Sequence, residues 1–344
     1  MESFRSLAAG AARDTHARFG RHLAGLPGTF IGRSHDRQDD TRHIRDLGPW
    51  NYWWQAHYLD AIVDDAELWL ASGERLRAMQ EIRRAKALLR GIFLRNLGKF
   101  PNAFYDDMAW LALAARRLER LTAALPGQRA PLASLAVHQL GRVLAAAGDD
   151  RLGGGIYWNR SRDFKNTPAN GPAALLFVRT GRYTAARALM QWLNEHLFDT
   201  ARGLYFDGLR LKDDAVDLEP AIYTYNQGTT LATLCALGMP EDLTRAADLI
   251  HAIRRELADE HGSLPISAAG DGALFTGILC RYLALSAGDR RLPSEVRDKA
   301  AQMVRSTAQT LVERQEIELS AVVQRWMIFN AACRLSPATS IPNA

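Results

Sequence analysis

Residues 225–260 read YNQGTTLATLCALGMPEDLTRAADLIHAIRRELADE and hold one complete unit of the fold. From Tyr225 to Leu237 the side chains are small and apolar nearly all round, which suits a helix enclosed on every side. Gly238 follows where a helix C-cap belongs, and Glu241 to Glu260 then carries a charged face of Arg, Glu and Asp, as a surface helix does. A buried helix, a glycine joint and a half-exposed helix make a helical hairpin.

The unit recurs from end to end. Helical periodicity predicts helices near 2–24, 50–72, 74–96, 103–124, 129–147, 167–180, 183–198, 219–237, 240–260, 271–287, 293–314 and 319–334, while runs of alternating β-branched residues are scarce. The chain therefore reads as all-α. Short joints carry Gly73, Gly127 after Pro126, Gly181, Gly238 and Gly288; long joints fall between them at 25–49, 97–102, 148–166, 199–218 and 261–270. If short and long joints alternate in an antiparallel array, all the long ones emerge at one end, beside the N-termini of the helices beginning near 50, 103, 167, 219 and 271. Function should gather there. Asn170 to Val178 and Gly272 to Leu285 are as apolar as 225–237, whereas Glu74 to Arg95 and Ser294 to Arg314 carry charged faces. Six such hairpins suggest a closed toroid, an (α/α)6 barrel over one domain, 1–344, in which the first helix pairs with the last. An open solenoid is the rival, but no repeated motif beyond the glycine joints supports it.

Composition narrows the function classes. The 344 residues are 47% hydrophobic, enough for a large core, and the formal charge of +5 comes from scattered Arg without a block of like charges. That pattern is a solvated surface rather than a nucleic-acid footprint. Cys235, Cys280 and Cys333 sit singly in apolar helical segments and read as reduced core thiols, neither a disulfide framework nor a metal site. Arg, Asp and Glu interrupt the first twenty residues, so no signal peptide is evident and the expected location is cytoplasmic. No apolar run is long enough to span a membrane. No cofactor or metal is expected, and the chain is expected to be a monomer.

At the loop-rich end stands FYDDMAW, Phe104 to Trp110. Asp106 and Asp107 fall in the first turn of a helix, with Asn102 a candidate N-cap. Side chains at i and i+1 diverge by about 100°, which lets two carboxyl groups reach one cavity roughly 5 to 6 Å apart, the separation that retaining glycosidic cleavage needs. The helix dipole would favour the anion of one while repulsion raises the pKa of the other. The competing reading is that acids are common in first turns. WNYWWQAHYLD, 50–60, brings Trp53, Trp54, Gln55 and His57, aromatic faces and hydroxyl partners suited to a sugar, or equally a packed core. GGGIYWNRSRDFKNTPAN, 153–170, offers Tyr157, Trp158, Asn159 and Asn170 behind flexible glycines and lacks the GK[ST] ending of a phosphate loop. Tyr105, then Tyr225, Asn226 and Gln227, and Asp271 complete the candidate carbohydrate contacts. A second acidic pair, Asp64 and Asp65 with Glu67 nearby, is expected to face solvent at the outer end of the ring.

These residues resemble glycoside hydrolase family 76, the endo-α-1,6-mannanases. The resemblance rests on YDDMAWLALA around Asp106 and Asp107, GGIYWN at 154–159, Lys165 to Gly171, Thr180 and Gly181 with Tyr183, GLYFDG at 203–208, YNQG at 225–228, and GD followed by LFTGILCRYLA at 270–284. It implies an (α/α)6 barrel and a retaining mechanism, with Asp106 as nucleophile and Asp107 as general acid/base, acting on α-1,6-linked mannose chains. The family usually has Lys where this chain has Thr276. The alternatives are a carbohydrate-binding toroid without catalysis, or an α/α-barrel enzyme for another sugar, of epimerase or uronyl hydrolase type. A metal-dependent prenyl-type site lacks its DDxxD spacing, since Trp110 stands three after Asp107.

Overall fold

The structure, a computed structural model, describes residues 3–35, 50–212 and 215–335. Residues 36–49 of the first long joint and the two ends of the expected 1–344 domain lie outside the described residues. Twelve α-helices are described: α1 (Phe4–Phe19), α2 (Tyr52–Ala71), α3 (Arg75–Arg95), α4 (Tyr105–Ala123), α5 (Pro131–Ala145), α6 (Thr167–Arg179), α7 (Tyr183–His196), α8 (Thr224–Leu237), α9 (Pro240–Glu256), α10 (Gly272–Ala287), α11 (Ser294–Gln309) and α12 (Leu319–Arg334).

The even-numbered helices form an inner ring. Each packs on the next, α2 to α4 and onward to α12, and α12 returns to α2. The odd ones lie outside: α3 on α2, α5 on α4, α7 on α6, α9 on α8, α11 on α10, and α1 on α12. This is the (α/α)6 barrel, with first and last helices paired. Sequence pattern explains which helix goes where. In α6 every residue from Thr167 to Val178 is buried, so it can exist only between neighbours. In α11 the buried residues Val296, Ala300, Met303, Val304 and Thr307 form a single i, i+4, i+7, i+8, i+11 stripe, and the opposite face stays in water. Each buried Val, Leu or Met contributes about 1.5–3 kcal/mol of transfer free energy to such contacts.

Gly73, Gly127, Gly181 and Gly238 hold left-handed backbone, with φ between 70° and 80°, which ends each inner helix or its partner in a tight turn. Gly288 differs: it stays right-handed at φ −83°, so that joint does not depend on glycine's freedom. Cys280 is buried, and Cys235 and Cys333 are partly buried free thiols. Among the described residues no helix is long and apolar enough to cross a membrane.

Three expectations need correction. The first helix stops at Phe19, because Gly20–Arg21 (β1) turns out to pair antiparallel with Ile31–Gly32 (β2). The joint at 199–218 is not irregular. It contains Phe198–Asp199 (β4) paired with Leu204–Tyr205 (β5), and a hairpin of Gly208–Lys212 (β6) and Ala215–Glu219 (β7) whose inner strand also pairs with Phe164–Asn166 (β3). Alternation in GLRLK, with Leu209 and Leu211 buried and Arg210 and Lys212 exposed, is a period-two signal too short to stand out among helices. That hairpin delays the start of α8 to Thr224.

The third concerns Asp64 and Asp65, which are buried. Asp60, Asp64 and Glu67 form one face of α2, and Arg117 of α4, Arg281 of α10 and Arg334 of α12 converge on it. Asp64 Oδ1 meets Arg117 at 2.6 Å and Arg334 at 3.0 Å, and Oδ2 meets Arg281 at 2.7 Å. Burial works against the charge of Asp64, yet these guanidinium groups outweigh it and hold the carboxyl far below its usual range. Asp65 forms no such ion pair among the described residues. It accepts the Trp69 indole N–H at 2.7 Å, and burial with the nearby Glu81 pushes it up to about 7.

Candidate active site

The inner helices begin at the mouth of the barrel, and their first turns line a cavity of about 670 Å3. Asn51 and Trp53 come from the start of α2; Asp106, Asp107 and Trp110 from α4, with Asn102 from the loop before it; Asn166 from the end of β3, where it caps α6; Tyr225 from α8, with Tyr223 at its N-cap; and Phe275 from α10, with Asp271 at its N-cap. Strand residues Phe164 and Arg210, with Trp158 and Asp207 from the loops, close the remaining wall. The volume lies in the range of sites that enclose a small organic ligand.

Asp106 is fixed on both oxygens. Oδ1 accepts the backbone N–H of Asp107 at 2.8 Å, and Oδ2 accepts the Trp158 indole N–H at 3.0 Å. Among the described residues Asp107 is held on one oxygen, Oδ2, which accepts from Asn102 Nδ2 at 2.7 Å. Asn102 is thus not the helix N-cap; Phe104 occupies that position without a side-chain cap, and the Asn102 amide serves the carboxylate. Both carboxyls rise. For Asp106 burial is the largest cause and the charge of Asp107 adds to it, lifting it well above the usual carboxylate range; for Asp107 burial, with Asp271 adding, pushes the carboxyl up to about 7. Both being raised differs from the expected split, in which the helix dipole favours one anion, because enclosure dominates the dipole here. Asp106 is lifted well above the usual range, so enclosure by itself would leave a proton there. Hydrogen bonding pulls the other way: a proton on either Asp106 oxygen would weaken a bond from an N–H, whereas among the described residues Asp107 Oδ1 has no such donor.

Two further carboxylates share the cavity. Asp271 Oδ1 accepts both the Trp53 and Trp54 indole N–H groups, at 2.9 and 2.8 Å, tying α10 to α2 across the mouth. Asp207 receives Asn226 Nδ2 at 3.2 Å, and burial pushes it up to about 6. Arg210 is the cation among the lining residues, its guanidinium 4.4 Å over the Phe164 ring. The apolar wall is aromatic. Tyr225 stacks on Phe275 with centroids 3.9 Å apart, flanked by Trp110, Tyr223 and Trp53. Such a face with carboxylates opposite suits a ring that carries C–H on one side and hydroxyls on the other.

Of the residues singled out from sequence, Asp106, Asp107, Trp53, Trp158, Tyr225 and Asp271 line this cavity. The others lie behind its wall. Asn170 is buried and clamps Ile156, accepting its N–H at 2.7 Å and donating to its carbonyl at 2.9 Å, which sets the loop that carries Trp158. Gln227 does the same for Tyr205, and Tyr157 donates its hydroxyl to Asp149. Asn226 orients Asp207. Asn159 accepts the Ser161 N–H, and the Tyr105 N–H donates to the Trp158 carbonyl. Trp54 and His57 are buried; His57 packs on the rings of Trp53 and Trp110, and burial, then Arg281, drive its pKa down to about 3, so it is neutral. Sequence reading missed Asn51, Asp207 and Arg210 as wall residues, while Asn166 of the 153–170 stretch does line the cavity. For Asp207 and Arg210 the signal was the short alternating strand beside them.

The Trp158 bond yields a test. Trp158→Phe keeps a ring against Phe104 but removes the donor to Asp106 Oδ2; a hydrogen bond to a charged group contributes about 1.5–3 kcal/mol. Turnover should drop roughly 10- to 100-fold. Because the lost donor favoured the anion, the acidic limb of the pH–rate profile should move to higher pH.

Among the described residues no group of three or more His, Cys, Asp or Glu side chains could hold a metal ion. No curated protein is similar enough in sequence to match. Solved structures are similar. An inactive variant of an α-1,6-mannanase from Salegentibacter, in complex with α-1,6-mannotriose, superposes with a TM-score of 0.81 at 25% identity, covering 96% of this chain and 99% of that one. The Lin0763 protein from Listeria innocua has the same score at 24% identity over 97% and 98% of the two chains, and Dfg5 from Chaetomium thermophilum, in complex with glucosamine, scores 0.73 at 16% over 96% and 90%; these two attest the fold. The sequence profile of glycosyl hydrolase family 76 matches residues 29–327, and the chain belongs to that family.

Proposed function

We propose that this chain is a retaining α-1,6-mannanase in which Asp106 is the nucleophile and Asp107 the general acid/base. The observation that carries the reading is the unequal holding of the two carboxyls in one aromatic-walled cavity: two N–H donors on Asp106, one amide on Asp107. In the first step Asp106 attacks the anomeric carbon while Asp107 gives its proton to the glycosidic oxygen, which leaves as the alcohol of the neighbouring sugar. A glycosyl ester on Asp106 remains. Asp107, now ionised, takes a proton from water, whose oxygen attacks the same carbon and releases Asp106. A carboxyl at about 7 suits both halves, since it can hold a proton and return it at neutral pH.

The Salegentibacter mannanase supports the substrate class: its inactive forms carry Asn or Ala at two consecutive aspartates and are complexed with α-1,6-mannotriose or the tetrasaccharide. Cleavage inside the chain is the expected mode. The test is to follow an α-1,6-mannan by proton NMR. Initial products with the α anomeric configuration, and oligosaccharides before free mannose, are expected; first-formed β products would overturn the retaining mechanism, and an inert substrate would overturn the specificity.

A further inference from the structure

The glycine-rich loop before β3 is built around a lysine. The Lys165 side chain, in the middle of β3, is completely buried, and its Nζ meets the Arg151 carbonyl at 2.5 Å, the Gly154 carbonyl at 2.6 Å and Asp149 Oδ1 at 3.0 Å. An ammonium has three N–H donors and no acceptor, and three oxygens receive them. The Asp149 carbonyl, at 3.4 Å, is a fourth, and the Tyr157 ring lies 4.6 Å from Nζ with its hydroxyl donated at 2.7 Å to the other Asp149 oxygen. The loop can turn its carbonyls inward because four successive residues hold positive φ: Leu152 at 58°, Gly153 at 72°, Gly154 at 125° and Gly155 at 79°. At Gly155 a Cβ would stand 2.6 Å from the Trp192 ring, so no larger residue fits. Oxygens gathered around one buried positive charge form a cage like that of a hard metal cation, and here the chain supplies the cation itself.

The cage stands behind the wall of the sugar cavity, and β3 joins the two. Lys165 is bridged antiparallel to Tyr157, and the next residue, Trp158, donates its backbone N–H to the Phe164 carbonyl at 2.7 Å. On its other side the Trp158 carbonyl accepts the Tyr105 N–H at 2.7 Å. Trp158 is therefore held between β3 and the first turn of α4, with its indole N–H on Asp106 Oδ2 at 3.0 Å. Oxygens turned toward one point repel once the charge between them is gone, so without the ammonium the loop must open. Tyr157 is tied to that loop through Asp149, and Trp158 follows Tyr157 in the chain. The bond that such an opening loosens is the one on Asp106.

We propose that Lys165 is a positioning residue for the reaction at Asp106: its ammonium closes the 149–155 loop into a cage and so keeps Trp158 where its indole can donate to that carboxylate. The inference rests on the roles proposed above for Asp106 and Asp107, and two readouts keep the two apart. The first, carboxyl-carbon NMR titration of the full chain without substrate, needs no turnover. Lys165→Met loosens the indole donor, which favours the Asp106 anion, so that carboxyl should titrate at higher pH than in wild type, as it should in Trp158→Phe. Its titratable neighbours, Asp107 of α4 and Tyr225 of α8, are the same in both variants. The second is turnover of α-1,6-mannan, which Lys165→Met should lower about tenfold, with the acidic limb of the pH–rate profile moving up. The double variant with Trp158→Phe should match Trp158→Phe alone to within about twofold, because both act through one bond. Should Lys165→Met fail to fold, Asp149→Ala, at the partly exposed edge of the cage, should move the titration the same way by less. An unmoved Asp106 titration in whichever variant folds, or losses that multiply in the double variant, overturns the proposal. A wild type inert on mannan, with the titration shift present, supports the role of Lys165 and overturns only the mannanase reading.

Discussion

Asp106→Asn and Asp107→Asn should both fold and both lose turnover of α-1,6-mannan, but in chemically different ways. Without the nucleophile no glycosyl ester forms, and the loss should be about 10^4-fold or more, at least roughly 5.5 kcal/mol of barrier at 1.36 kcal/mol per decade. Without the acid/base the loss should be about 10^2- to 10^4-fold, and smaller for an aryl mannoside whose leaving group needs no proton. Azide separates the roles. With Asp106→Ala, azide attacks from the emptied side and should give the β-mannosyl azide; with Asp107→Ala, it intercepts the ester and should give the α-mannosyl azide. Exchanged products would exchange the two assignments, and equal activity of wild type and both variants would remove the mechanism.

The same variants report on electrostatics. An aspartate titrates near 3.9 in the unfolded chain and Asp107 near 7 in the fold, so its protonated form favours folding. That contribution is complete below about pH 3.9 and is lost as pH rises through about 7. Thermal denaturation of wild type should therefore show a falling Tm between about pH 5 and pH 8, and Asn at either position should flatten the slope. A slope unchanged by both substitutions would show that the pair is not strained by its enclosure.

The ring was legible because each of its elements repeats a local signal: all-round apolar helix, joint, one-faced helix. The end at which the aromatic-walled cavity opens was legible for the same reason, since alternating joints put all the long ones there. The side of the wall on which a polar group sits was not. Asn170 and Gln227 look like ligand contacts because an amide buried near a helix start needs partners, but backbone groups of Ile156 and Tyr205 supply them. Both kinds of partner leave the same trace in one sequence. Asp64 misled for a related reason: its partners come from α4, α10 and α12, up to 270 residues away in the chain. Its spacing from Asp60 and Glu67, i, i+4 and i+7, nevertheless marked one inward face, continuous with Trp53 and His57.

That face carries the largest expected loss of stability. Arg281→Met removes the guanidinium that meets Asp60 at 2.7 Å and Asp64 at 2.7 Å, leaving Arg117 and Arg334 to serve three acids. Breaking a buried pair from one side costs about 3–5 kcal/mol, which for a chain of this size lowers Tm by roughly 10 °C. Asp64→Leu should cost a similar amount, since it takes one shared carboxylate from Arg117, Arg281 and Arg334 and leaves Asp60 and Glu67 to serve all three. If the cost lies in the unpaired charge rather than in lost packing, the double variant Asp64→Leu with Arg281→Met should be less destabilised than the sum of the singles by at least about 1 kcal/mol, measured by denaturant titration. Simple additivity would assign the effect to packing. The acid dependence has the opposite sign to that of the Asp106–Asp107 pair. The depressed pKa of Asp64 stabilises the fold at every pH above the unfolded value near 3.9, and this is lost only as pH falls toward its native pKa. The network therefore guards the acid side while the strained pair at the mouth weakens the neutral side. Greatest stability should fall at mildly acidic pH and move toward neutrality when Asp106 or Asp107 becomes Asn. Loss of Arg281 should also relieve the neutral His57 above it, whose proton affinity Arg281 suppresses, so that in Arg281→Met the imidazole titrates closer to its ordinary range. Carbon-bound proton shifts of His57 read that change directly, and a histidine still silent down to about pH 4 would show that burial alone keeps it neutral.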